Sequence, residues 1–243
     1  APFFVEVAYT AVHFPFQPPD RPSDALRDHG TLVQKPDDSR PATRRDYVAM
    51  LERADRGIGE ILRVLDNRGL SNNTLVIFTN DNGGEWLSRN APFFHRKGTL
   101  WEGGIRVPCI LRWPGHLSAG KTSEQPGITM DLTTTILAAT NTPLPAAYQP
   151  DGLDLLPILR GESLPVERSL YWRINREDRK QKAVRAGKWK YVVDGGHHLL
   201  FDLHRDLGEH HDLAARYPAM VRRLKASLAV WEKDVDQREK PAQ

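Results

Sequence analysis

The chain has 243 residues, of which 40% are hydrophobic and 27% are charged. These proportions are typical of a globular protein with a buried core and exclude a disordered chain. The formal net charge is +3 without a long block of like charges, which favours a mildly basic, solvated surface over nucleic-acid binding. The single cysteine excludes an internal disulfide framework, and no apolar run approaches the ~18 residues of a membrane span.

The first part of the chain predicts a strand, a loop, a helix and a second strand. Residues 3–9 are mostly apolar and predict the first strand, and a loop rich in proline and charged residues follows over 17–41. Residues 74–79 predict the next strand. The helix between them is predicted by one apolar stripe at helical spacing, formed by Tyr47, Met50, Leu51, Ala54, Ile58, Ile61, Leu62 and Leu65.

The ends of this helix carry start and stop signals. Thr43 with Asp46 resembles a capping box, and Gly69 after Arg68 is a plausible stop. Alternating strands and helices predict an α/β fold with part of a mainly parallel sheet flanked by helices.

The predicted elements then become shorter. Residues 105–113 predict a strand that Pro108 interrupts, which indicates an edge or a bulge. Residues 130–139 predict a helix, and the proline-rich stretch 143–157 predicts a linker. Cys109 is expected to be a core thiol in its strand.

The pattern changes from about residue 164. Short strands, separated by glycine and polar turns, are predicted over 169–173, 183–187, 189–193 and 198–202. A helix is predicted over 218–235. We therefore divide the chain into an α/β domain over 1–160 and a small carboxyl-terminal α+β subdomain over 161–243, with antiparallel strands and one helix.

Polar residues follow two strands of the first domain, at the point where each strand ends. They are residues 10–13 (TAVH) and residues 80–83 (NDNG), and ligands of open α/β sheets bind beyond such carboxyl ends. Asp81 and Asn82 carry the oxygen ligands that Ca²⁺ and Mg²⁺ prefer. The same residue types also form ordinary turns, so this segment alone leaves a turn and a metal site both open.

Residues 95–108 (HRKGTLWEGGIRVP) place several cations on a glycine-rich backbone. His95, Arg96, Lys97 and Arg106 follow directly on the metal-like loop. Cations beside a metal site suit an anionic, tetrahedral substrate group such as a sulfate or a phosphate.

Five runs of this sequence resemble segments of the sulfatase family. They are NTLVIFTNDNGGE, NAPFFHRKGTLWEGGIRVPCILRWPG, AYTAVHFPFQPP, YVAMLERADRGIGEILRVLDNRGL and DGLDLLPILRG. This family belongs to the alkaline-phosphatase-like superfamily. The resemblance is to the carboxyl-terminal half of the family and extends over essentially the whole chain. It implies the sulfatase fold, with residues 1–160 as the carboxyl-terminal portion of the catalytic α/β domain.

The resemblance also implies roles for individual residues. Asp81 and Asn82 would be two ligands of a divalent cation, usually Ca²⁺ in this family, with Mg²⁺ as an alternative. Lys97 would contact the sulfate oxygens and balance charge on the leaving oxygen. His13 would hydrogen-bond the sulfate ester and protonate the departing alcohol, a role that suits an imidazole.

Two further positions depart from the family. His95 and Arg96 stand where the family often has glycines, which implies that they line the substrate pocket; a solvated loop is the alternative. Arg106 is expected to tie loops together rather than to act on the substrate.

The family's nucleophile is a formylglycine made from Cys or Ser in the motif C/S-x-P-x-R, and two more Asp ligands end its first strand. Cys109 is followed by Ile-Leu-Arg, and Ser163 has its arginine one residue late. Neither fits the motif. The chain is therefore expected to lack the amino-terminal half of its own domain, which would supply both, and to be inactive alone.

The predicted function is hydrolysis of an aryl or carbohydrate sulfate ester by the whole protein, and the resemblance implies an exported protein. Two alternatives stay open. One is a phosphodiesterase or phosphonate hydrolase of the same superfamily, which shares the metal loop. The other is a non-catalytic binding module that keeps the fold without the nucleophile.

Overall fold

The computed structural model describes residues 1–20, 42–145 and 147–238. Contacts between residues divide the chain into two compact units. The first comprises Ala1–Thr74 and Trp86–Arg89, and the second comprises Leu75–Glu85 and Asn90–Gln243. The domain boundary near residue 160 stays a prediction, and most of the predicted loop 17–41 lies outside the described residues.

The first unit is built on helix α1, Arg44–Asn67. Its predicted capping box is confirmed, because Thr43 N donates to Asp46 Oδ2 at 2.7 Å and Asp46 N donates to Thr43 Oγ1 at 3.4 Å. The helix ends as expected: Arg68 is its C-cap, and Gly69 adopts φ 65°, the left-handed conformation that glycine enters without strain.

The predicted strand over residues 3–9 is wrong. None of these residues belongs to a strand, and Phe3, Phe4, Val5 and Val7 are all exposed. The apolar sequence favours an extended backbone, but a strand also requires a hydrogen-bonded neighbour. Within the described ranges no segment pairs with residues 3–9.

The second unit contains a two-stranded antiparallel sheet, β1 (Val76–Thr79) and β2 (Cys109–Arg112). Val76 lies opposite Arg112, and Thr79 lies opposite Cys109. The mainly parallel sheet predicted from the sequence is not found among the described strands, where every pairing is antiparallel.

The strand predicted over 105–113 is confirmed only for its second half. Its first residue ends a helical turn, α2 (Glu102–Ile105), and Pro108, which has no N–H to donate, precedes the first ladder residue. Cys109 is exposed rather than in the core, because it stands at an end of the ladder whose neighbouring positions 108 and 110 are exposed too.

Helix α3 (Thr129–Ala139) confirms the helix predicted over 130–139, and the predicted linker ends in a helical turn, α4 (Leu156–Leu159). Asp131 joins these parts, since its fully buried carboxylate accepts from Ile128 N and from Leu153 N, each at 2.8 Å. Arg168 pairs with the same carboxylate. The linker is therefore fixed by a buried charge.

The carboxyl-terminal part confirms the predicted antiparallel sheet with one helix. Its four strands are adjacent in chain order: β3 (Ser169–Arg176), β4 (Arg179–Ala186), β5 (Trp189–Asp194) and β6 (His197–Asp202). Helix α5 spans Pro218–Arg238. No helix in the described ranges combines the length and the hydrophobicity that crossing a membrane requires.

Successive strand residues of this sheet point to opposite faces, and both faces are buried. On one face Val184, Tyr191 and Leu200 pack with Leu224 and Leu228 of α5. The other face has a separate core, formed by Leu100, Trp101, Ala183, Val192, Phe201 and Leu203. The segment that precedes α2 therefore covers the second face of the sheet.

Candidate functional site

The loop between β1 and β2 carries five of the six predicted site residues. Because Thr79 lies opposite Cys109, the loop begins and ends at the same end of the ladder. We call residues 80–84 the Asp81 loop and residues 97–104 the Lys97 segment. Lys97 N donates to Gly84 O at 3.1 Å, and Gly83 N donates to Gly104 O at 2.9 Å. The backbones that carry Asp81, Asn82 and Lys97 are thus bonded to each other.

Three glycines allow backbone segments of this loop to approach each other closely. A Cβ atom at Gly83 would lie 1.9 Å from Gly103 O, and one at Gly104 would lie 2.3 Å from Thr99 O. A Cβ atom at Gly103 would meet His95 O at 2.4 Å. A side chain at Gly83 would force the Asp81 loop away from the Lys97 segment, and one at Gly103 or Gly104 would disrupt the packing of that segment against residues 94–99.

Asn90 ties the same loops together, and the sequence reasoning missed it. Its Nδ2 donates to Gly84 O at 2.9 Å and to His95 O at 3.1 Å, and its Oδ1 accepts from Gly84 N at 3.2 Å. A lone asparagine in a polar loop follows no periodicity. The only available signal was its position at the start of the run NAPFFHRKG.

Asp81 and Asn82 fit part of a cation site. Asp81 is exposed, and its Oδ1 accepts from Asn82 N at 2.9 Å; Asn82 Nδ2 donates to Gly83 O at 2.9 Å. Asn82 Oδ1 accepts no hydrogen bond from the residues that the structure describes. Both groups offer the hard oxygen donors that Ca²⁺ and Mg²⁺ prefer, but a calcium shell needs about 6–8 of them. The described residues contain no group of three or more His, Cys, Asp or Glu that could hold a metal ion.

Lys97 and its neighbours differ in how they are paired. The half-buried Lys97 side chain makes no ion pair or hydrogen bond with any residue that the structure describes. Arg96 Nη1 lies 3.4 Å from Glu85 Oε1 in a solvent-exposed pair, which contributes little stability. The Lys97 ammonium is thus the more available cation.

His95 adopts φ 66°, a conformation that is uncommon outside glycine. This agrees with its place at a position where the resemblance expects glycine. Burial lowers the pKa of His95, and the nearby charges of Arg179 and Arg96 lower it further against the opposing effect of Asp194. The lowered pKa favours the neutral imidazole over the imidazolium.

His13 belongs to the first unit. It is exposed, its N donates to Thr10 O at 2.7 Å, and its Nδ1 contacts Phe14 O. The role predicted for His13 stays a prediction, as do those of Asp81, Asn82 and Lys97. Arg106 contacts two groups of its own loop, with Nη1 at 3.4 Å from Glu102 Oε2 and its guanidinium 5.0 Å from the Phe93 ring.

Side chains from the four-stranded sheet bond directly to the Lys97 segment. Arg179 Nη1 donates to Gly98 O at 3.1 Å, and Leu100 N donates to Gln181 Oε1 at 2.8 Å. Trp101 Nε1 donates to Asp194 Oδ2 at 2.9 Å. The sheet therefore holds the Lys97 segment through backbone groups of Gly98 and Leu100 and through the indole of Trp101.

A buried ion triad completes this attachment. Lys190 Nζ lies 2.8 Å from Glu102 Oε1 and 2.8 Å from Glu209 Oε1, and the second contact is an ion pair without hydrogen-bond alignment. Glu209 Oε2 accepts from Glu102 N at 2.6 Å. Burial raises the pKa of Glu209, and the Lys190 charge opposes this only in part. Two carboxylates thus share one ammonium.

The family model described as Sulfatase matches residues 1–142 of this chain. The chain belongs to the sulfatase family. A second family model, described as N-sulphoglucosamine sulphohydrolase, C-terminal, matches residues 91–234 of this sulfatase. The two matches overlap over residues 91–142, which include Lys97.

Curated relatives extend this finding. N-acetylgalactosamine-6-sulfatase of Mus musculus is 43% identical over 125 residues, which are 49% of this chain and 24% of the relative. Arylsulfatase A of Homo sapiens is 33% identical over 205 residues, 70% of this chain and 40% of the relative. The chain spans between a quarter and a half of the length of these relatives.

Solved structures share the fold. The crystal structure of Ps i-CgsB superposes with a TM-score of 0.79 at 27% identity, over 92% of this chain and 48% of that one. The PsFucS1 sulfatase from Pseudoalteromonas sp. superposes with a TM-score of 0.67 at 27% identity, over 82% of this chain and 44% of that one.

Proposed function

We propose that the protein containing this chain hydrolyses a sulfate ester. The observation that carries the proposal is the juxtaposition of the Asp81 loop and the Lys97 segment, which are joined by hydrogen bonds from Lys97 N to Gly84 O and from Gly83 N to Gly104 O. This juxtaposition brings hard oxygen donors and a cationic segment into one loop. Membership of the sulfatase family and sulfatase relatives support the same reaction.

In the proposed reaction Lys97 binds the sulfate oxygens and stabilises negative charge on the leaving oxygen. An ammonium without a carboxylate partner among the described residues suits this role, because none of those residues neutralises its charge. His13 donates a proton to the departing alcohol, as an imidazole does near neutral pH. Preorganised donors of this kind contribute about 3–4 kcal/mol to transition-state stabilisation.

Asp81 and Asn82 would hold the divalent cation, with Ca²⁺ preferred over Mg²⁺ because exposed loop oxygens tolerate its more flexible geometry. When bound, the cation supplies positive charge that neutralises the sulfate group and orients it. No C/S-x-P-x-R motif occurs in residues 1–243. The proposal therefore assigns the formylglycine nucleophile to sequence outside these residues.

His95 and Arg96 are proposed to line the pocket for the alcohol part of the ester. The neutral imidazole of His95 has one donor and one acceptor nitrogen, which suits the hydroxyl groups of a carbohydrate. Arg96 is paired only at the surface with Glu85, so a substrate anion can displace that partner at little cost.

The test is turnover by the protein expressed from its complete coding sequence. Hydrolysis of 4-nitrophenyl sulfate is compared with that of bis(4-nitrophenyl) phosphate and of an aryl phosphonate ester. We expect sulfate hydrolysis that falls by roughly 100-fold or more in Lys97→Ala and in His13→Ala. Lys121→Ala, which removes an exposed lysine just after a turn, serves as the matched control and should keep full activity.

Preferential turnover of the phosphate or phosphonate ester would assign the protein to the phosphodiesterase or phosphonate hydrolase alternative. A folded protein that binds a sulfated sugar but hydrolyses none of the three esters, nor a sulfated sugar, would favour a binding module. Equal activity in Lys97→Ala and Lys121→Ala would remove Lys97 from the reaction.

A further inference from the structure

We propose that Glu209, together with Lys190, is a positioning residue for Lys97, so that the carboxyl-terminal sheet sets the geometry of the reaction site. Glu209 follows β6 in the chain and Lys190 lies on β5, whereas Lys97 lies in the loop between β1 and β2. This inference rests on the proposed function, because it concerns the residue assigned there to the leaving oxygen.

The first argument is the path between the groups. Glu209 Oε2 accepts from Glu102 N at 2.6 Å. Two residues after Glu102, Gly104 O accepts from Gly83 N of the Asp81 loop at 2.9 Å. Five residues before Glu102, Lys97 N donates to Gly84 O of the same loop at 3.1 Å. Glu102 therefore stands between the two hydrogen bonds that join the Lys97 segment to the Asp81 loop. A shift of Glu102 changes both of them.

The second argument is that stability alone does not account for the triad. The side chains of Lys190 and Glu209 are fully buried, and that of Glu102 is 3% exposed. Burying three charged groups costs desolvation energy that their mutual attraction repays only with good geometry, and apolar replacements of buried ion clusters are often equally stable. Here two carboxylates face one buried ammonium, and the second cation beside Glu102, the Arg106 guanidinium at 3.4 Å, is 39% exposed.

The third argument is that the contact between Glu209 and the backbone of Glu102 is directional. An apolar contact at Glu102 would tolerate sliding of the Lys97 segment over the sheet, because dispersion contacts are non-directional. A carboxylate that accepts from one backbone N–H holds that N–H at one place. The contacts of Arg179 with Gly98 O and of Gln181 with Leu100 N add two more fixed points along the same segment.

The experiment compares three variants of the protein expressed from its complete coding sequence. Glu209→Ala removes both the charge and the acceptor for Glu102 N, whereas Glu209→Gln removes the charge and keeps an acceptor oxygen. Arg168→Met is the control for lost stability, because it unpairs the buried Asp131 carboxylate, whose contacts are with residues 128, 153 and 168 rather than with the Lys97 segment.

The first measurement is hydrogen exchange of the peptide covering residues 97–104, which needs no activity. We expect exchange about tenfold faster in Glu209→Ala, with near wild-type exchange in Glu209→Gln and in Arg168→Met. Unchanged exchange in Glu209→Ala, or equal acceleration in Arg168→Met, would overturn the inference.

The second measurement is the dependence of kcat/KM on the pKa of the leaving phenol across a series of aryl sulfates. A displaced Lys97 stabilises the leaving oxygen less, so the rate should depend more steeply on leaving-group pKa in Glu209→Ala, as in Lys97→Ala. Glu209→Gln and Arg168→Met should keep the wild-type slope. If Glu209→Ala exchanges faster but keeps that slope, Glu209 anchors the segment without positioning Lys97, and the inference is wrong.

These outcomes separate the inference from the proposed function. A wild-type protein that hydrolyses no sulfate ester contradicts the proposed function and removes the catalytic part of the inference. A wild-type sulfatase in which Glu209→Ala behaves like Arg168→Met in both measurements contradicts the inference alone.

Discussion

Lys190 Nζ lies 2.8 Å from Oε1 of Glu102, and both side chains are almost completely buried. The two residues belong to β5 and α2, which are separated by three other strands and two helices in the chain. Their pair attaches the loop that carries the candidate site to the carboxyl-terminal sheet.

Lys190→Met should lower the free energy of unfolding by about 3–5 kcal/mol, because it removes the buried ammonium that lies between the carboxylates of Glu102 and Glu209. Urea denaturation of the folded protein measures this loss. The control is Lys182→Met, which removes a 44% exposed lysine from its pair with Glu232 and should cost about 1 kcal/mol or less. Equal losses in the two variants would mean that the triad contributes no more than a surface pair.

Glu209→Gln should change how stability depends on pH. Burial raises the pKa of Glu209 in the folded protein above its ordinary value of 4.5. Between that value and the raised pKa, the folded state binds more protons than the unfolded state, so the free energy of unfolding falls as the pH rises. The variant lacks this decrease.

The measurement is chemical denaturation of both proteins at a series of pH values from 4 upward in steps of about half a unit. The difference between wild type and variant isolates Glu209 from the other titrating groups. A difference that does not vary with pH would mean that Glu209 has the same pKa in both states.

Gly83→Ala should disrupt the candidate site, because its Cβ would lie 1.9 Å from Gly103 O. We expect loss of at least 1–3 kcal/mol of stability, roughly the range for overpacking, together with loss of sulfate-ester turnover. Gly59→Ala is the control, since Gly59 lies within α1 and its Cβ would meet nothing within 4 Å. That variant should gain about 0.5–1 kcal/mol from higher helix propensity. A tolerated Gly83→Ala would contradict the close approach of the two backbones.

Asn90→Ala should loosen both loops, because it removes three hydrogen bonds to Gly84 and His95. Backbone groups left without partners cost about 1–3 kcal/mol when they are buried, and less here where they are partly exposed. Thermal unfolding and hydrogen exchange of residues 83–97 measure the effect. Asn73→Ala, at an exposed position after α1, should leave both unchanged; similar results for the two variants would remove Asn90 from the site.

Asp81→Ala should abolish binding of Ca²⁺ and nearly all turnover while it leaves the fold intact, because Asp81 is exposed and its carboxylate contacts only Asn82 N among the described residues. Calorimetric titration with Ca²⁺ of the protein expressed from its complete coding sequence measures the binding. The control is Asp151→Ala, which removes another exposed aspartate. Retained calcium binding in Asp81→Ala would contradict the assignment of the Asp81 loop as a metal site.

Local sequence signals determined most of the helices and the carboxyl-terminal sheet. The stripe from Tyr47 to Leu65, the Thr43 cap and the stop at Gly69 predict α1 closely, because helical hydrogen bonds join residues four apart. The four short strands and α5 follow from alternation and spacing within a single stretch of chain. The run NDNGGE, together with the family resemblance, also located the Asp81 loop.

Pairing and burial between distant segments were decided only by the tertiary structure. The antiparallel pairing of β1 with β2, the exposed segment 3–9 and the exposed Cys109 each depend on whether another segment lies alongside, which no local period records. The same holds for the buried triad of Glu102, Lys190 and Glu209. Charged residues are read from sequence as surface groups, and they become buried only because partners distant in the chain meet there and compensate the desolvation of each other's charges.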